Sequence, residues 1–572
     1  MKKLLFALFA MAVVIGCSKN DNAPSPQEAN GQASFLTVNF KSAGSITKAP
    51  EDMFEYGSTD ENAVNNVIFY FFDENGNKYP VQDMQNFIAG NVKDWTASTD
   101  EPAVSIEKVS GMVLVIKQVQ DGQIPAKMVA VLNAPASLQK SMSLADLQAE
   151  VLTALTIQDD QKNDYFIMSN SVYVDGSEVV YASEIDETNL FSANVEPGEP
   201  GYNKPGTILK PGEAGVPANI TPVEIYVERV AAKVRVAGAA NVSLDKIPVY
   251  DEQGKQLTVP VEGSDDEVNA YVKVLGWDVT NNTSEAYAIK KLSASYDDLG
   301  FTPWNSTDFH RSYWAETDAE PMHNLKFEDL IGRNLTPGFA YYFENTLPAA
   351  ENNGVNINPN DTFEPSADDA NKASQLLVAT QLVDEQGNVL AIGRWYGQNY
   401  TVPALKAAMV GTVDHRLYVK DPADATKFLA ITADDVEFVQ RPQTDADSRY
   451  LVYMTAKEGV TYYDATGEEI TATSSEDETS AAYILEHVDP AQIWADGHAY
   501  YYTTIQHFGE ATGIVRNHLY DIKIEKVTGF GTPVFEDGFV ITPEKPEDIE
   551  AVNLSAKINI LSWHVVEQSV IL

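Results

Sequence analysis

The one cysteine of the chain, Cys17, stands directly behind an apolar run at the amino terminus. Lys2 and Lys3 precede the run Leu4 to Ile15, and Gly16 separates it from the thiol. The run is too short to span a bilayer and ends in a small residue, which fits an export signal. Val14-Ile15-Gly16-Cys17 resembles a bacterial lipobox, whose cysteine takes diacylglycerol at sulfur, gains further acyl chains such as palmitate, and becomes the first residue after cleavage. With Cys17 so used, the folded part has no disulfide, no thiolate metal site and no cysteine nucleophile.

The remaining candidate chemistry is sparse. His310, His323, His415, His487, His498, His507, His518 and His564 form no H-E-x-x-H pair or other tight metal spacing. There is no nucleophile elbow, no P-loop and no dinucleotide fingerprint. Asp73-Glu74-Asn75-Gly76 lacks the further ligands of a calcium loop and reads as a turn. Tyr500, Tyr501 and Tyr502 could stack sugars, but a strand position favours the core. No catalytic group, metal or cofactor is called for, although a pair of acids that meets only in three dimensions would escape this reading.

Acidic residues outnumber basic ones by 83 to 39, for a net charge of -44 over 572 residues. Such a surface repels phosphate backbones and anionic lipid, so nucleic acid is excluded as a partner and membrane attachment falls to the lipid. A hydrophobic fraction of 44% and 27 tyrosines argue for folded domains, and the length suits roughly two to four.

Ser18 to Gln32 is a polar tether, followed by a short strand in which Leu36, Val38 and Phe40 alternate onto one face. Val67 to Phe72 is apolar on both faces, as in a strand buried within a sandwich. Lys127 to Leu132 and Tyr165 to Met168 are further strands, and Ser143 with Asp146 predicts a capped helix over Leu144 to Ala154. The Pro/Gly-rich stretch between Val195 and Asn219 reads as a linker. The next strand is read over Val223 to Val236, with a slip of register expected at Glu228-Arg229. No fixed-period repeat is evident. The pattern is mainly β: two β-sandwich domains with few short helices.

Near the carboxyl end, Tyr520, Ile522 and Ile524 alternate with Asp521, Lys523 and Glu525. Leu554, Ala556, Ile558 and Ile560 repeat the pattern, and Trp563, Val565, Val566, Val570, Ile571 and Leu572 continue in strand-forming apolar residues that need a place of burial. From pattern alone, the first and last strands fit equally well a permanent place in their own sheets or an exchange between molecules.

Gly513-Ile514-Val515-Arg516-Asn517-His518-Leu519-Tyr520-Asp521-Ile522 is similar to the late signature of the fimbrillins, the type V pilins of Bacteroides-like bacteria. Gly531-Thr532-Pro533-Val534 and Ile558-Asn559-Ile560-Leu561-Ser562-Trp563 resemble the minor-fimbria branch of that family. Val227 to Val234 resembles the strand that opens its second domain, and Phe166 to Ser171 and Glu344-Asn345-Thr346 also recur there.

The resemblance implies transthyretin-like, Greek-key sandwiches and a non-enzymatic stalk subunit of a surface fimbrium that supports adhesion and biofilm formation. It implies a signal peptide over 1–17 with lipidated Cys17, and a tether with a removable strand over 18–48. The amino-terminal domain then spans 49–219 and the carboxyl-terminal domain 220–572. The precursor sits in the outer membrane through its lipid. A trypsin-like surface protease cuts between Lys48 and Ala49, where the family commonly has arginine, and removes the strand of Leu36, Val38 and Phe40. The donor is the 554–572 region, with Leu554, Ile558, Ile560, Trp563, Val565, Val566, Val570 and Leu572 filling the vacated groove of the next copy. The implied partners are copies of itself in a head-to-tail polymer, tip and anchor subunits, and host or bacterial surface ligands. A tip or anchor subunit, a monomeric glycan-binding lipoprotein and a hydrolase are the rival readings.

Overall fold

The computed structural model of the chain describes residues 33–42, 54–55, 57–79, 109–117, 125–192, 221–292, 304–346, 373–541 and 563–571, with short gaps inside these ranges. In the amino-terminal half the strands used below are β1 (Ala33–Ser42), β2 (Phe54–Glu55), β3 (Val67–Phe72), β4 (Val109–Lys117), β5 (Lys127–Leu132), β6 (Met168–Asn170), β7 (Ser183–Glu184) and β8 (Leu190–Ser192). Then come β9 (Val223–Arg229), β10 (Ala232–Gly238), β11 (Ile247–Tyr250), β12 (Tyr271–Thr280), β13 (Phe339–Tyr342) and β14 (Gln375–Val383). The last are β15 (His498–Thr504), β16 (His518–Thr528), β17 (Thr532–Pro533) and β18 (Trp563–Ile571).

Two large sheets dominate, as the mainly-β reading expects. The first is eight-stranded, in the order β7-β5-β6-β9-β1-β8, with β3 on β5 and β4 on β1. The second is ten-stranded, in the order β2-β18-β16-β11-β12-β14-β15-β17, with β10 joining β13 to β16. β3 shows why its sequence is unbroken and apolar. Val67, Phe69 and Phe71 pack with Val223, Ile225 and Val227 on one face. Ile68, Tyr70 and Phe72 pack with Trp304, Tyr313 and Trp314 on the other. In the second sheet Tyr520, Ile522 and Ile524 enter the core with Val234, Val236 and Trp277. Tyr500 and Tyr501 are buried, so this tyrosine run serves packing.

Two local readings need correction. The helix spans only Leu144–Ala149, though Ser143 and Asp146 do form its capping box. Val151–Leu152 leaves it to pair with Ala286–Tyr287, so the chain beyond Ala149 is drawn into a strand by a distant partner. The strand read over Val223 to Val236 is two strands: β9 lies in the first sheet, β10 in the second, and Val230-Ala231 crosses between them.

A repeated turn also emerges. Asp73, Asp251, Asp384 and Asp464 each open a five-residue hairpin turn, in which the carboxylate accepts the backbone N–H four residues on at 2.7–2.9 Å. The fourth residue is glycine each time, at φ +79°, +79°, +89° and +84° for Gly76, Gly254, Gly387 and Gly467, a conformation that costs other residues. The spacing between copies is irregular, which is why no period shows in the sequence. Between β14 and β15 the chain also builds a separate core, with Leu405, Met409, Leu417, Met454 and Leu485 at its centre.

Charged groups are buried where the chain changes sheet. Glu228, at the end of β9, meets Lys290 Nζ at 2.7 Å with both side chains fully enclosed. Burial pushes the Glu228 carboxyl up and the Lys290 ammonium down, and the charge of each opposes the shift in the other. Arg516 is paired with Glu344, also out of water. Arg229 donates to the Glu61 carbonyl at 3.0 Å and to Asn517 Oδ1 at 3.0 Å, and Arg311 donates to the Asn517 carbonyl at 2.7 Å. Asn517 takes φ +56° and donates its N–H to the Ala231 carbonyl at 2.7 Å. Lys233 Nζ reaches Glu61 at 2.7 Å. Beside this set, Val515 N–H donates to the Tyr520 hydroxyl (2.8 Å), which donates to His507 Nδ1 (2.9 Å), whose Nε2–H donates to the Tyr313 carbonyl (2.6 Å). That chain fixes one neutral tautomer, and burial pushes the His507 pKa down to about 3.

Lys290→Met should strand the Glu228 carboxylate and cost about 3–5 kcal/mol in urea denaturation, whereas Glu228→Leu with Lys290→Met recovers most of the loss. Because the His507 pKa is lowered on folding, its contribution to stability is complete above the unfolded value near 6.5 and is lost as pH falls towards about 3. The denaturation midpoint should therefore fall over that window less steeply in His507→Gln, and equal slopes would contradict the assignment.

Candidate functional site

The two strands singled out at the ends of the chain sit in unlike berths. β1 lies inside the first sheet and is paired along both edges. On one side it runs antiparallel to β4 from Ala33↔Lys117 to Lys41↔Val109. The other side is shared between β8, antiparallel from Ser34↔Ser192 to Leu36↔Leu190, and β9, parallel from Val38↔Val223 to Ser42↔Val227. Leu36, Val38 and Phe40 thus stand level with Leu190, Val223 and Ile225. Val223 and Ile225 are themselves in the core of the first sheet.

β18 lies near the margin of the second sheet. It runs parallel to β16 from His518↔His564 to Lys526↔Ile571, with one register shift. Along its other edge, among the described residues, its ladder partner is β2 through Phe54↔His564 and Glu55↔Trp563. Trp563, Val565, Val566 and Val570 fall in this strand. β1 has ten residues and β18 nine, so the two strands are nearly equal in length.

Charge holds the margin together. Arg235 on β10 makes paired bonds to Asp521 of β16 at 3.1 and 2.9 Å and a third to Glu55 of β2 at 2.6 Å. Asp521 first, with Glu55, raises the Arg235 pKa further above its ordinary range. Lys233 lies 3.8 Å from the Glu55 carboxylate. Glu61 fixes the chain just beyond β2: its carboxylate takes the Ser58 N–H at 2.6 Å and Lys233 at 2.7 Å, and bonds the Tyr341 hydroxyl. Burial opposes ionisation of Glu61, but these bonds outweigh it and lower its pKa.

Cys17, Lys48, Ala49, Leu554, Ile558, Ile560, Leu572 and the 195–219 linker lie outside the described residues. The motifs that carry the family likeness converge on the buried charges where the sheets meet. Glu228, Arg229 and Lys233 come from one motif, Glu344 from another, and Arg516, Asn517 and His518 from a third. Their partners Glu61, Lys290 and Arg311 were not legible as such. The available signal was the adjacent charges Glu228-Arg229 inside an apolar run, which marks a polar partner as readily as a register slip.

Residues 492–569 match the family model of the major fimbrial subunit protein type IV, fimbrillin, C-terminal. No curated protein matches the chain. Among solved structures, a proposed cell adhesion protein from Parabacteroides distasonis is similar at 14% identity over 73% of this chain and 95% of its own, with a TM-score of 0.28. A fimbrial assembly protein from the same organism shares 10% identity over 75% and 98%, with a TM-score of 0.26. The tip fimbrial protein Mfa3 from Porphyromonas gingivalis shares 11% over 74% and 98%, with a TM-score of 0.25. The family match spans β15, β16 and most of β18 and bears out the resemblance read from the late motifs.

Proposed function

We propose that this fimbrial subunit is the repeating stalk unit of a surface fimbrium, is not an enzyme, and polymerises by donating its C-terminal strand into the berth of β1 on the next copy. Export as a lipoprotein through Cys17 and a cut between Lys48 and Ala49 come first. The observation that carries this reading is the inequality of the two berths. Among the described residues, β1 is paired along both edges, while β18 is paired along one edge and at one end of the other.

Loss of β1 would leave the facing ladders of β4, β8 and β9 without partners, a template for an incoming strand. A strand that moves from the margin of one sheet to the interior of another gains backbone bonding on its second edge. Burial of four or five large side chains adds on the order of 10 kcal/mol before ordering costs. Donor and acceptor lie in different sheets of one chain, so each junction is head-to-tail and a filament is its natural product.

Limited trypsin treatment of the purified precursor, followed by N-terminal sequencing and unboiled gel electrophoresis, tests this. The expected outcome is a new terminus at Ala49 and a ladder of detergent-resistant oligomers. Cleavage at Ala49 that leaves only monomer contradicts the stalk reading and turns attention to a tip, an anchor or a glycan binder. Removal of Ser562 to Leu572 should abolish the ladder while the cut monomer keeps its fold.

A further inference from the structure

We infer that β2 is a clasp that retains β18 in its own subunit after β1 has been cut away, so that maturation and release of the donor are two separate steps. The inference rests on the donor reading above. β18 is held by β16 along one side, and β2 closes the start of the other side with Phe54 and Glu55. β2 lies C-terminal to the expected cut at Lys48–Ala49, so it stays with the mature subunit.

The chain just past β2 is fixed firmly. Glu61 is 3% exposed and bound by Lys233, and Arg229 donates to its carbonyl. β2 itself is held lightly. Among the described residues its ladder is two residues long, the Glu55–Arg235 ion pair is about one-third exposed on both sides, and Lys233 stands 3.8 Å from the same carboxylate. An exposed pair of this kind is weak, whereas a fully buried one would not open readily. Arg235 keeps its two bonds to Asp521 when Glu55 leaves, so opening the clasp strands no guanidinium. A short fixed post, a weak two-residue ladder and a strand that must leave together make a catch that restrains β18 without holding it permanently.

The test uses the trypsin-matured full subunit, in which residues before Ala49 are gone and no native thiol remains. Phe54→Cys with His564→Cys places two thiols on directly paired residues, within disulfide reach in an antiparallel ladder. The expected result is a disulfide within the monomer that blocks oligomer formation under oxidising conditions, with wild-type rates restored by reductant. Glu55→Gln should speed oligomer formation roughly two- to fivefold and raise amide exchange in 563–571 by a similar factor, with β14, Gln375–Val383, unchanged. Failure of the disulfide to form, or oligomers appearing at the same rate in the oxidised and reduced states, overturns the clasp. So does a Glu55→Gln subunit that matches wild type in both readouts. Wild-type protein that is cut and never forms oligomers overturns the subunit reading itself, and the clasp with it.

Discussion

A strand bonded along both edges cannot leave a sheet without stranding the backbone of its neighbours, and β1 is such a strand. Each buried amide or carbonyl left without a partner costs about 1–3 kcal/mol, so the berth has to be refilled. The replacement must be extended, of similar length, and able to place apolar side chains level with Val223 and Ile225. β18 meets the length requirement and, among the described residues, occupies a berth that binds it on one edge, with a two-residue supplement on the other. In the proposed exchange, the inequality between interior and marginal pairing supplies the direction.

The crossing between the sheets gives the proposed exchange a fixed frame. Val230-Ala231 carries the chain from β9, which borders the β1 berth, to β10, which borders β16. A two-residue apolar crossing would rotate freely if nothing spanned it. Here Glu228–Lys290, Glu344–Arg516, the bonds of Arg229 and Arg311 to Asn517, and the Asn517 N–H bond to the Ala231 carbonyl tie elements of the two sheets together. Buried ion pairs add little net stability, because the desolvation cost nearly cancels their attraction, but removing one partner is expensive. Their effect is to make one relative arrangement of the sheets far better than its alternatives. The proposed acceptor berth and donor strand are thereby held in a constant relation within each subunit.

Features that depend on local pattern were readable from the sequence. The unbroken run Val67 to Phe72 gave away a strand buried on both faces, and the alternation through Tyr520, Ile522 and Ile524 gave away β16. The late motif carries the family resemblance and encodes Arg516, Asn517 and His518, whose side chains are buried among partners far along the chain. Features that depend on partners chosen in three dimensions were not readable. Val151–Leu152 continues a good helical pattern and yet pairs with Ala286–Tyr287. Glu228-Arg229 looked like a fault within one strand because Lys290 and Asn517 lie far away in sequence. β2 is too short to carry any periodicity, so its pairing with β18 left no trace. The turns at Asp73, Asp251, Asp384 and Asp464 share a chemistry but not a spacing, so they leave no period in the sequence.

The most direct test of strand replacement reads the berth itself. Amide hydrogen exchange of β4, residues Val109–Lys117, reports whether its neighbour is present, because its ladder with β1 accounts for that edge. The account predicts protection in the precursor, loss of protection in the freshly cut monomer, and recovery in the polymer. Protection that persists after β1 is removed, or that fails to return when oligomers form, would contradict the claim that a donated strand takes the place of β1.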